Sequence, residues 1–328
     1  MADPDTNQTE RYDVAVIGAG PAGLSASIYL SRYKLKNLVL GPEHGGYVST
    51  THLVEDYLGF LRVSGMELAN TFTQHAANYP EAEIVTDKVN ELAKTDDGFT
   101  MKTWNQQEYA ARAVILATGT EHDKLGVPGE KEFEGRGVSY CVTCDAAFFK
   151  GKRVAIVGGG DSGAKGALHL TEFAERVYWI HRRDTFRAEP IWVDRVKEKP
   201  NVTLVMENTV EEVQGKEKVT GLKLAQPFDG SDVLEVDGLF VEIGSHPDTT
   251  LPKMIGAELD QYGNLVVNDH MRSSVEYVWG AGDGTTGSAM FRQIGTAAAE
   301  GSIAAGDIYE YLNDPKPDWH AKGAITTD

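Results

Sequence analysis

Cys141 and Cys144 are the only cysteines in a chain of 328 residues, and they stand three apart in "SYCVTCDAAFF", residues 139–149. A pair at this spacing can be half of a zinc site, an inert clip, or a dithiol that cycles with its disulfide. A structural zinc site takes four ligands, usually from two paired clusters. No second Cys-x-x-Cys exists and His122 lacks ligand spacing, so no metal site is expected. Asp145 follows the pair directly, where a carboxyl can pass a proton to a leaving thiolate. The same position also suits an N-cap for "AAFF".

Two glycine clusters flank the wider region. The first, Gly18-Ala19-Gly20-Pro21-Ala22-Gly23, lies between the strand-like "YDVAVIG" and the helical "AGLSASIYLSR". Glycines there allow the tight turn and bring backbone close to a pyrophosphate at the helix N-terminus. Glu43, 23 residues beyond Gly20, stands where an acid would accept from an adenosine ribose. The second cluster is Gly158-Gly159-Gly160-Asp161-Ser162-Gly163, after "RVAIVGG". Its next strand ends not in an acid but in His181, Arg182, Arg183 and Arg187, 21 to 27 residues after Gly160. Arginines at that place suit a 2′-phosphate, hence NADPH.

An acid after one cluster and arginines after the other point to FAD in the first site and NADPH in the second. Flavin bridges a hydride donor and a dithiol. Near the C-terminus, "YVWGAGDGTTG" offers a strand, then Gly282-Asp283 for ribityl hydroxyls, then a helix from about Arg292.

These motifs require an α/β frame with two Rossmann-like, three-layer ββα domains. The glycine clusters are 140 residues apart, about one domain length. Turns after "ARAVILATGT", which closes on Thr118-Gly119, and after "VDGLFVEIGSHPDTT" are the expected domain crossings. The expected order is a tail over 1–10, FAD domain over 11–124, inserted NADPH domain over 125–249, FAD domain again over 250–312, and a second tail over 313–328. Hydrophobic residues at 41% and charged residues at 24% are those of a globular protein. The net charge of −18 argues against nucleic acid as a partner. No apolar run reaches membrane-spanning length, and the acidic N-terminus is unlike a secretory signal. A cytoplasmic setting is expected.

In combination, "LGVPGE", "YCVTCDAAFFKGKRVAIVGGGDS", "HRRDTFRAE" and the later Gly-Asp resemble the low-molecular-weight, bacterial/archaeal-type thioredoxin reductases over about residues 12–312. The resemblance implies a homodimer in which electrons run from NADPH through FAD to a Cys141–Cys144 disulfide and on to a thioredoxin-like protein. By position in the motif, Cys144 would face the flavin, Cys141 would attack the partner disulfide, and Asp145 would serve as the acid. It adds Gly46, Asp56, Arg292 and Gln293 to the FAD contacts, and makes the turns near 124 and 249 hinges. Other uses of the same parts are a dithiol oxidase working on oxygen and a redox sensor without turnover. The intact arginine set speaks against the oxidase.

The chain departs from the family pattern in places. Tyr47 replaces Gln, Asp56 and Leu58 replace Asn and Pro, Ala146 replaces Gly after the aspartate, and Lys165-Gly166 replaces two glutamates. A glycine inside a helix costs about 1 kcal/mol against alanine.

Overall fold

The computed structural model describes residues 11–313 and 319. The expected N-terminal tail lies outside them. The chain forms two compact units: residues 11–49, 55–121 and 246–313 with 319 make the first, and residues 50–54 with 122–245 the second. The changes of unit at 121/122 and 245/246 lie a few residues before the turns read from sequence. Residues 50–54, which the sequence assigns to the first domain, pack with the second unit.

In the first unit, β1 (Arg11–Ile17), β2 (Asn37–Gly41) and β3 (Ala82–Thr86) are parallel, and β4 (Val89–Thr95), β5 (Gly98–Thr103) and β6 (Glu108–Leu116) form an antiparallel meander. The sheet runs β3-β2-β1-β6-β5-β4. The later half of β6 leaves β5 and pairs instead with the last strand of the chain, Val278–Gly280. The unbroken apolar run of β1 fits a strand covered on both faces. One face meets the helices Pro21–Arg32 (α1) and Ile294–Asn313, through Ala22, Ala26, Leu30, Ala304 and Ile308. The other meets the meander through Leu92, Phe99 and Met101. A single turn, α2 (Tyr47–Thr50), and a 13-residue helix, α3 (Gly65–Ala77), follow β2.

The ribbon of β7 (Thr120–His122) and Ser245–Pro247 carries the chain between units. The second unit repeats the layering. Its sheet contains β8 (Val138–Ser139), β9 (Arg153–Val157), β10 (Arg176–Ile180), β11 (Val202–Val205) and the strand Gly238–Val241, all parallel, with β9 at the centre. Helices α4 (Val142–Asp145), α5 (Asp161–Leu170) and α6 (Pro190–Lys197) cover one face. The meander of β12 (Val210–Gly215), β13 (Val219–Phe228) and β14 (Ser231–Leu234) covers the other. The remaining elements, in order, are β15 (Gly238–Val241), β16 (Ser245–Pro247), α7 (Thr250–Met254), β17 (Val278–Gly280) and α8 (Ile294–Asn313).

Residues from 313 onward read as a polar tail, yet Trp319 is 6% exposed, its Nε1 donates to the Ser273 carbonyl at 2.7 Å, and its ring packs edge-on to Trp279 and Tyr311. Asn313 itself belongs to α8. The single large aromatic outweighs its polar neighbours by the area it buries. The other residues beyond 313 lie outside those described.

Candidate active site

In both units the glycine cluster does what its spacing demands. Gly18 has φ +122°, and a Cβ there would stand 2.0 Å from the Ala117 carbonyl oxygen. Gly158 has φ +143°, and a Cβ would stand 1.9 Å from the Glu242 oxygen. Each therefore lets the strand turn into a helix while touching the neighbouring strand end. Pro21 opens α1 at its first turn, and Gly20 caps it with no side-chain hydrogen bond, as Gly160 caps α5. No N-cap side chain therefore takes up the first amides of either helix, the arrangement an anionic pyrophosphate uses. Ala22 and Gly23 are buried in the first turn of α1, and Ser162 and Gly163 occupy the first turn of α5.

Around the first cluster the structure gathers several of the residues singled out by sequence. Gly46 crosses over Gly20, where a Cβ would come within 3.3 Å of the Gly20 Cα, and Gly45 donates its N–H to the Ala19 carbonyl. Thr118 and Gly119 follow β6, and the Gly119 carbonyl approaches Gly284. Gly282 lies against Ala22 of α1 and Ala297 of α8. Glu43 follows the end of β2 and is exposed, as is Asp56.

Sequence reasoning missed the residue that holds Gly282 and Asp283 in place. Glu300, 4% exposed on α8, accepts the Gly282 N–H at 2.7 Å and the Thr285 hydroxyl at 3.1 Å. Its other oxygen, Oε1, has no partner. Burial raises the Asp283 pKa; Arg292 opposes that shift and Glu300 adds to it. Arg292 donates from Nη2 to Asn264 Oδ1 at 2.7 Å, while its buried Nε finds no partner. Gln293 directly precedes α8, and its backbone N–H donates to the Thr296 hydroxyl. An unmet donor on Arg292, an uncapped α1 and a buried acid two turns away together suit a ligand bearing phosphates and hydroxyls.

In the second unit, Arg182, Arg183 and Arg187 are exposed beyond β10. His181 is different. It is 6% exposed, its Nε2 lies 3.0 Å from the Thr185 carbonyl, and its ring fills the space over Gly159. Burial lowers its pKa, with the three arginines acting in the same direction. Its geometry is that of a support for the loop that carries the arginines. Asp161 Oδ1 accepts the Glu189 N–H at 2.7 Å and so fixes the start of α6.

Glu242 is a second residue that the sequence did not single out. It follows β15, which lies beside β9, and its backbone touches Gly158. Burial pushes its carboxyl up to about 7.

Cys141 and Cys144 form a disulfide across α4. Cys141, the N-cap of α4, accepts the Cys144 N–H on Sγ at 3.2 Å, and its own N–H donates to the Ser139 hydroxyl at 3.1 Å. Cys144 is exposed and Cys141 half-buried. Asp145 occupies the N-cap position of the 3-10 turn Ala146–Phe149, but its side chain makes no capping bond there. Gly166, a departure from the family pattern, has a packing reason. A Cβ there would lie 2.8 Å from Ile156 Cδ1 and 3.0 Å from Val142 Cγ2. The bare backbone lets α5 pack closely against the dithiol helix. Lys165 places its ammonium over the Trp192 ring, 5.0 Å from the centroid.

The model of the pyridine nucleotide-disulphide oxidoreductases matches residues 12–301. Thioredoxin reductases of Listeria innocua and Treponema pallidum are 39% and 40% identical, over 95% and 92% of this chain and 98% and 97% of their own. The crystal structure of the T. acidophilum thioredoxin reductase superposes with a TM-score of 0.86 at 40% identity, covering 92% of this chain and 99% of that one. The chain belongs to the low-molecular-weight thioredoxin reductases of the pyridine nucleotide-disulphide oxidoreductase family. Membership makes it a flavoprotein disulfide reductase that uses FAD and NADPH, and the dithiol is its redox disulfide. The oxidase and sensor readings are not favoured. Among the described residues no helix is long and apolar enough to cross a membrane.

Proposed function

We propose that the chain reduces the disulfide of a thioredoxin-like protein, with Cys141 as the attacking sulfur and Cys144 as the sulfur that faces the flavin. The observation that carries this reading is the Cys141–Cys144 disulfide lying in the same unit as an uncapped Gly160 helix and an exposed arginine set. Bound FAD supplies a carrier that takes an electron pair from NADPH and delivers it to a disulfide.

The chain's own residues do the rest. Gly18, Gly20, Pro21, Ala22 and Gly23 receive the FAD pyrophosphate, Glu43 the ribose, and Asp283 the ribityl hydroxyls, with Glu300 holding the Asp283 loop. Gly46, Asp56, Thr118, Gly119, Gly282, Arg292 and Gln293 complete that site. Gly158, Gly160, Ser162 and Gly163 receive the NADPH pyrophosphate and Arg182, Arg183 and Arg187 its 2′-phosphate. His181 and Asp161 act through the loops they fix.

With the pair reduced, the Cys141 thiolate attacks one sulfur of the partner disulfide, forming a mixed disulfide. The partner's departing sulfur takes its proton from the Asp145 carboxyl. Cys144 then attacks Cys141 Sγ, which re-forms the internal disulfide and releases the second partner thiolate. The hydrogen bond from the Cys144 amide supports Cys141 as the thiolate of the pair. We read the protein as a cytoplasmic homodimer. A lone, close cysteine pair given over to redox chemistry fits a reducing compartment.

The test is reoxidation of the NADPH-reduced, FAD-loaded protein under anaerobic conditions. Rapid return of the flavin colour on adding a thioredoxin disulfide supports the reading. Return with oxygen alone, and none with the protein disulfide, would overturn it.

A further inference from the structure

The sequence offered no metal-ligand spacing, but folding brings three ligating side chains together in the second unit. His52 lies on the 50–54 segment, whose Leu53 is buried in the core with Val142 and Ile156. His169 lies in the last turn of α5, and Glu172 follows just beyond it. His52 Nε2 is 3.8 Å from Glu172 Oε1, and His169 Nδ1 is 3.6 Å from Glu172 Oε2. One donor atom from each of the three lies within 4.8 Å of the other two.

A second, independent feature marks the spot. His169 is 6% exposed, yet its Nδ1 has no hydrogen-bond partner. At 3.6 Å the glutamate is too distant to serve as one. A buried imidazole nitrogen is ordinarily satisfied by protein or water. Here it lies 3.6 Å from a carboxylate oxygen, with a second imidazole stacked on its ring.

We propose that His52, His169 and Glu172 form a binding site for a borderline divalent transition metal, zinc in the first instance, with a fourth position open to water. Two imidazoles and one carboxylate are a donor set that zinc accepts and that magnesium and calcium, which prefer oxygen, do not. Tetrahedral zinc with nitrogen ligands at about 2.0–2.1 Å places neighbouring donors roughly 3.4 Å apart. No edge of the trio therefore has to close by more than about 1.4 Å. The two rings are stacked, with centroids 3.5 Å apart and planes 16° from parallel. Lone pairs in nearly parallel planes cannot meet at one atom, so one ring must turn. His52, with a third of its side chain exposed, is free to do so, and Glu172 is half exposed. His169 is held by its edge-on contact with Phe173 and supplies the fixed ligand. Occupied, the site ties the 50–54 segment to the end of α5.

The experiment is a zinc titration of the untagged, FAD-loaded chain, dialysed free of metal and kept in the disulfide form so that the cysteines cannot bind. Binding is read by competition with a chromogenic chelator. One zinc per chain is expected, with affinity lost on the order of a hundredfold in His52→Ala and in His169→Phe, and about tenfold in Glu172→Gln. A hundredfold excess of magnesium should leave zinc uptake unchanged. No stoichiometric uptake, equal uptake by His52→Ala, or displacement by magnesium would each overturn the proposal. His52 sits on the partly exposed segment, so its variant keeps the test decisive should His169→Phe fold poorly.

Discussion

The Cys144 amide donates to Cys141 Sγ at 3.2 Å, a bond directed at one sulfur of the pair only. A hydrogen bond to a sulfur favours its charged form, so in the reduced protein Cys141 should be the thiolate. Although Cys144 is the more exposed, Cys141 should be alkylated several-fold faster at neutral pH. Mass-spectrometric mapping after brief treatment of the reduced protein with an alkylating reagent decides this. Faster modification of Cys144 would remove the basis for its assigned role.

The arginine set makes a separable prediction about nucleotide choice. Hydrogen bonds between charged partners are each worth about 1.5–3 kcal/mol, so losing two should be visible in binding. Arg182→Ala with Arg183→Ala should raise the KM for NADPH on the order of a hundredfold or more while moving that for NADH little. Steady-state kinetics with both nucleotides provide the check. Equal losses for the two would mean that the arginines do not read the 2′-phosphate.

Glu300 accepts two bonds in a buried place, and its removal strands the Gly282 N–H. That costs about 1–3 kcal/mol and frees the loop bearing Asp283. Glu300→Ala should therefore purify with less FAD and lose it faster on dilution. Glu300→Gln, which keeps an acceptor oxygen, should retain most of the cofactor. Flavin content measured after gel filtration distinguishes the two variants.

Glu242 gives a pH signature. Its folded-state pKa is pushed up to about 7 by burial, above the unfolded carboxyl value. Its contribution is thus fully favourable below the unfolded value and is lost as pH rises through about 7. Glu242→Gln should flatten the stability profile between roughly pH 4.5 and 7 and stabilise the protein at pH 8, by up to about 3 kcal/mol. Denaturant melts at several pH values measure it. An unchanged profile would show that the carboxyl is solvated.

Trp319 anchors residues beyond α8. Truncating a buried tryptophan typically costs about 3–5 kcal/mol, so Trp319→Ala should lower the Tm of the first unit by several degrees. Calorimetry on the full chain would show whether the loss is that large.

The parts legible in the sequence are those written locally. Gly18 to Gly23 and Gly158 to Gly163 announce strand, turn and helix within six residues, and the arginines follow one strand later. Long-range partners are silent. Glu300 meets Gly282 from a helix 18 positions away, and nothing in "TAAAEGS" marks it as more than a helical acid. His52 and His169 are 117 positions apart and meet only because residues 50–54 pack away from the chain on either side of them. His181 reads as a nucleotide contact because it adjoins three arginines; that its ring packs over Gly159 is visible only in the fold. Trp319 was hidden by the polar residues around it. Gly166 reads as a weakness in α5, and its close approach to Val142 is a contact that only the fold creates.

A dithiol that takes electrons from NADPH through the flavin raises the number of electrons the protein can hold, and that number can be counted. In anaerobic titration the oxidised, FAD-loaded protein should accept two electron pairs from NADPH, one for the flavin and one for the disulfide. The Cys141→Ser, Cys144→Ser double variant should accept only one. Failure of NADPH to bleach the flavin, or the same uptake by both proteins, would show that electrons do not pass from NADPH through the flavin to the disulfide.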